Sequence, residues 1–150
     1  MAGSARVRAG PSALDGDVMI EVDVLGERLA PGAPPPGEVT RLCVAATVAV
    51  GIEDGHIAIE YVDAARIAEL NLAHRGKRGP TDVLSFPIDG ATVQGDVPRE
   101  LGDVMICPEH TADLREAIVH GVLHLGGMDH ETDDGEMLTL QTRLLAEASS

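Results

Sequence analysis

Aromatic residues are almost absent from this 150-residue chain, which has no tryptophan, one tyrosine (Tyr61) and one phenylalanine (Phe86). RNA-binding sheets of the RRM type stack bases on several exposed rings, so no such platform is expected. Positive charge is scarce too. Eleven Lys and Arg stand against 25 Asp and Glu, a formal net charge of −14, which opposes non-specific binding to nucleic acid or an anionic membrane. Any contact with RNA must then use a local basic site. The two cysteines, Cys43 and Cys107, each sit in an apolar run with no CxxC spacing. Buried free thiols are expected rather than redox or thiolate-metal chemistry. No apolar run is long enough to span a bilayer. None follows Arg6 and Arg8 within Met1 to Gly16, so no secretory signal is read. A cytoplasmic protein without membrane contact is the expectation.

What is present suffices for one folded domain. Hydrophobic residues make up 44% of the chain, enough for a core without staples. Val18, Ile20, Val22 and Val24 alternate with polar neighbours and predict a half-buried strand. The segment 30–37 (APGAPPPG) reads as a loop because its prolines cannot donate to a ladder. Val39, Leu42, Cys43, Ala46 and Val50 then recur at helical spacing, with Gly51 as the stop. Ile57, Ile59 and Tyr61 predict a second strand. Asp63 caps a helix carrying Ile67 and Leu70 that runs out near His74. Residues 83–88 and 102–107 are the third and fourth strands, able to pair antiparallel across a polar loop at 89–99. Thr111 or Asp113 caps a helix ending at Gly126-Gly127. Asp133 with Glu136 forms a capping-box pattern before a last helix bearing Met137, Leu140 and Leu144. The order predicts a single α/β (α+β) domain over 1–150, with a mixed four-stranded sheet and about four helices. Residues 1–16 are expected to be loose.

Three of the six histidines fall within HGVLHLGGMDH, at His120, His124 and His130. Four residues advance a helix by roughly 6 Å and slightly more than one turn, so His120 and His124 share a face and can reach one ion. An i, i+4 histidine pair alone is a weak signal, more often a surface or core pair. A third histidine after a glycine break changes that balance. The glycines let the chain swing back and offer His130, which puts a zinc site at a helix end and the following turn, one ion per chain. Three neutral nitrogens with an open fourth position make the catalytic arrangement rather than the structural one. Such an ion activates water and polarises phosphoryl or carbonyl oxygens. Asp129 is a candidate for orienting an imidazole from behind; its bland reading is a turn former. The spacing also matches metzincin proteases, but their general-base Glu is replaced by Gly121 and little chain remains for a Met-turn. Protease is therefore a poor reading.

A second constellation lies at 71–87, NLAHRGKRGPTDVLSFP. Arg75, Lys77 and Arg78 cluster here in an otherwise acidic chain. The bland reading is a solvated loop. The functional one is a phosphate contact, for which the planar guanidinium of Arg75 is suited, with Lys77 and Arg78 as further RNA contacts.

Together, HGVLHLGGMDH at 120–130, RGKRGPTDVLSFP at 75–87 and LGDVMICPE at 101–109 resemble the YbeY family of bacterial rRNA maturation factors. The match runs in order over about half the chain. The resemblance implies a zinc-dependent endoribonuclease specific for single strands, acting in 16S rRNA 3′-end processing and ribosome quality control. It implies zinc on His120, His124 and His130, and a functional arginine at Arg75. It implies rRNA, the small ribosomal subunit with one of its proteins, and the GTPase Era as partners. Residues before Asp17 and the proline-rich loop match nothing diagnostic. No general base is evident; Asp129, Asp82 and His110 are candidates. Two other readings stay open, a zinc hydrolase of a small substrate and a non-catalytic ribosome assembly factor whose metal is structural.

Overall fold

Each alternating stretch becomes a strand where its pattern places one. The computed structural model describes residues 4–8, 18–88, 100–129 and 133–148. The elements are β1 (Ser4–Arg8), β2 (Met19–Leu25), α1 (Pro36–Ala49), β3 (Asp54–Tyr61), α2 (Ala64–Arg75), β4 (Val83–Pro87), β5 (Glu100–Ile106), α3 (Leu114–Leu125) and α4 (Glu136–Ala148). The sheet order is β1-β2-β3-β5-β4. The β2–β3 and β3–β5 pairs are parallel, whereas β1–β2 and β4–β5 are antiparallel. This is the expected α/β domain with a mixed sheet and four α-helices.

One strand was not foreseen. Ser4–Arg8 falls within the N-terminal segment read as loose, yet it pairs with β2 and makes the sheet five-stranded. Five residues with one branched side chain are too few to signal a strand by period. Its register comes instead from the open edge of β2, whose N–H and C=O groups otherwise lack partners. The rest of 1–16, and the loop expected at 89–99, lie outside the described residues.

Helices α1, α3 and α4 pack together on one face of the sheet. Ile20, Val22, Ile57, Ile59, Val104 and Ile106 meet Val39, Leu42, Ile118, Leu123 and Met137 in the main core. A smaller cluster under α2 joins Ile67 to Val62, Leu84 and Cys107. Strand β4 serves both: Val83 packs against the main core, and Leu84 and Phe86 against the smaller one. Cys43 and Cys107 are buried free thiols, as expected, and burial pushes the Cys43 thiol up to about 12.

The helix ends follow their cues with small shifts. Helix α1 starts inside the proline loop, at Pro36, because a first-turn proline lacks only an N–H that would have no helical acceptor. It stops where Gly51 turns left-handed, at φ 85°. Asp63 caps α2 and Asp113 caps α3, each accepting first-turn N–H groups. The cap of α4 differs from the expected box. Asp133 accepts from Gly135 and Met137, while Glu136 accepts from the N–H of Asp134 rather than Asp133. Gly135, at φ 98°, turns the backbone between cap and helix.

Candidate metal and substrate groove

Helix α3 ends in a Schellman reversal that shapes the site. Gly127 adopts φ 98°. Its N–H bonds the carbonyl of His124 at 3.0 Å, and the N–H of Met128 bonds that of Leu123 at 3.1 Å. This paired closure needs a left-handed residue after the helix, which glycine supplies without strain. The turn carries the carbonyl of Met128 back over the last helical turn, to 2.9 Å from Nδ1 of His124. A carbonyl only accepts, so Nδ1 of His124 carries the proton and Nε2 of the neutral ring carries the lone pair.

His120, one turn earlier, is held alike by a different element. Its Nδ1 donates to Oε1 of Gln141 at 2.8 Å. Gln141 is 7% exposed and comes from α4, which packs against α3. The two rings stand edge to face with centroids 4.7 Å apart. Gln141 was missed from the sequence. Its signal was a polar residue on the apolar stripe of α4, four after Met137 and three before Leu144.

Gly121 lets α3 sit this close to the sheet. A Cβ there would lie 2.4 Å from Cγ1 of Val104 and 3.3 Å from Oγ of Ser85. The Ser85 hydroxyl donates to the Gly121 carbonyl at 2.8 Å. The missing zincin glutamate thus has a steric reason, since no side chain fits between α3 and strands β4 and β5.

These groups border a groove of about 710 Å³. It is lined by His120, His124, Gly127, Met128 and Asp129 at the end of α3, by residues 81–85 and Pro87 along β4, and by His74 and Arg75 at the end of α2. Gly76, at φ 69°, ends α2 there. The loop beyond is tied down by Asn71, whose Nδ2 donates to the Gly79 carbonyl at 2.9 Å. The structure therefore brings Arg75, His120, His124 and Asp129 to one groove. Lys77 and Arg78 are exposed on the adjoining loop but do not line it. Asp82 does; its Oδ1 accepts from the Val83 N–H at 2.8 Å and the Thr81 hydroxyl at 3.2 Å. His110 is exposed in a short 3-10 turn away from it. His130 lies outside the described residues. Among the described residues no three His, Cys, Asp or Glu side chains group as a metal site. The donor set nevertheless fits one, because two imidazoles on one helix face share the tautomer that puts the lone pair on Nε2, the form that ligates a cation.

Fold and groove together describe a small α/β domain with two histidines and an arginine lining one cleft. The family model described as Endoribonuclease YbeY matches residues 38–149. A protein named Endoribonuclease YbeY from Rubrobacter xylanophilus is 38% identical over 130 residues, covering 83% of this chain and 93% of the relative. Its namesake from Micrococcus luteus is 42% identical over 112 residues, covering 63% and 71%. A solution structure of a Thermotoga maritima protein is 28% identical, with a TM-score of 0.46 over 87% of this chain and 89% of the other. The chain belongs to the YbeY family.

Proposed function

We propose that this protein is a zinc-dependent endoribonuclease specific for single strands, acting in 16S rRNA 3′-end maturation and ribosome quality control. The observation that carries the reading is the matched pair of Nδ1 hydrogen bonds on His120 and His124, in one groove with Arg75. With His130 as the third ligand, these residues would hold one Zn²⁺ per chain. When bound, the ion supplies Lewis acidity toward a phosphodiester. Arg75 grips the phosphate through two parallel N–H bonds and steadies charge on its oxygens. Asp82 and Asp129 line the groove as acceptors for the proton of the attacking hydroxyl. Asp82 is held in place for this by its bonds to Val83 and Thr81. Lys77 and Arg78 meet the strand outside the groove. The net charge of −14 disfavours a generic grip on RNA. Delivery by partners follows: the small ribosomal subunit, one of its proteins, and the GTPase Era.

The test is cleavage of one RNA sequence offered single-stranded and as a duplex, with wild type, Arg75→Ala and His124→Ala. The single strand is cut and the duplex spared. Arg75→Ala loses roughly 10² to 10³ in rate, the usual cost of removing one charge-stabilising donor, while keeping its zinc. Full cleavage by Arg75→Ala would contradict the reading. Zinc binding without cleavage of any RNA would favour an assembly factor.

A further inference from the structure

A ring pair stands where the end of α2 borders the groove. His74, in the last turn of α2, lies with its ring centroid 4.4 Å from that of Phe86 on β4, the planes tilted by 46°. Phe86 is anchored, being partly buried against the cluster of Val62, Ile67, Leu84 and Cys107. His74 is exposed and lines the groove. Among the described residues its ring makes no hydrogen bond and packs on the ring of Phe86. The next residue is Arg75, which also lines the groove.

We propose that His74, braced on Phe86, is a stacking subsite for one unpaired nucleobase of the RNA strand, beside the phosphate held by Arg75. This rests on the ribonuclease reading and deepens it. A flat ring with its position set from below loses little freedom when a base settles on it, so the contact is not spent on ordering the side chain. Base and phosphate of one nucleotide are covalently linked, and His74 and Arg75 are consecutive, so one nucleotide can engage both. Stacking tolerates any base but requires it unpaired, since a base within a duplex is already stacked on its neighbours. The ledge therefore supplies a physical source of single-strand preference in a chain that has one phenylalanine.

The experiment uses the full chain and short 2′-O-methyl single strands in which each base in turn is replaced by an abasic unit. Wild type binds the intact strand and loses about tenfold in affinity at one abasic position, the usual worth of a base stacked on a ring. His74→Ala binds the intact strand about tenfold more weakly, and the same abasic replacement then costs it nothing more. His74→Tyr, which keeps a ring, restores both effects. Thermal melting and zinc content match wild type in each variant. Equal affinity of wild type and His74→Ala for the intact strand overturns the subsite alone, as does an undiminished abasic penalty in His74→Ala. Failure of wild type to bind any single strand overturns the ribonuclease reading itself.

Discussion

Which nitrogen of an imidazole meets a metal is settled by the partner of the other nitrogen. Here the two partners come from different sources. The Met128 carbonyl on His124 follows from the glycine reversal, so it was implicit in the Gly126-Gly127 pair. The Gln141 oxygen on His120 depends on how α4 lies against α3, which no local pattern reveals. Gln141→Leu leaves the His120 Nδ1–H without its acceptor and should weaken zinc binding about 10- to 100-fold. Gln141→Glu keeps an acceptor and should bind zinc close to wild type. Chelator competition measures both; wild-type affinity in Gln141→Leu would mean that the tautomer is set elsewhere. The same reasoning explains why Arg75 was legible from sequence and His74 was not. A guanidinium in an acidic chain stands out by charge, whereas a histidine acquires meaning only from the ring beneath it.

Strands and helices carry the site through contacts that tolerate little change. Gly121 sits where α3 meets β4 and β5, and Gly121→Ala forces a Cβ against Val104. Overpacking of this kind costs about 1–3 kcal/mol, so denaturant unfolding should show a loss of that size. An unchanged midpoint would mean that α3 has room to withdraw. The opposite face of the sheet has its own clamp. His56 on β3 bonds Asp23 of β2 through Nε2 at 2.9 Å and Glu100 of β5 through Nδ1 at 2.7 Å. Burial opposes the charged ring, but the bonds to Glu100 and then Asp23 outweigh it, and its pKa is raised. The protonated ring is thus favoured in the folded state. Its contribution is fully present below the unfolded pKa of about 6.5 and is lost as pH rises through the folded value. Asp103, whose carboxyl is raised by burial and by Glu100, acts in the same direction in the acid range. Melting temperatures of wild type and His56→Gln should differ most near pH 5.5 and converge at alkaline pH. A gap that widens with rising pH would reverse the assigned sign. The helices and the strands other than β1 were legible because their apolar periods are clear. This clamp was not, since it joins residues far apart in sequence through strand order alone.

At the scale of the whole molecule, charge decides how RNA is met. With −14 overall and three basic residues at or beside the groove, few phosphates can be neutralised. At about 0.7 per phosphate for a single strand, the slope of log affinity against log salt should be no steeper than about −2. A slope near −5 would require about seven phosphate contacts, more than the three basic residues at or beside the groove supply. Fold class and the histidine motif could be read from sequence because both rest on local spacing. The groove could not, because it forms where α2, the sheet edge and α3 meet. The reading stands or falls on the metal, which elemental analysis of tag-free wild type and His124→Ala measures directly. About one zinc per chain in wild type and none in the variant is the predicted result. A wild type purified without metal, or a variant that keeps a full equivalent, would contradict it.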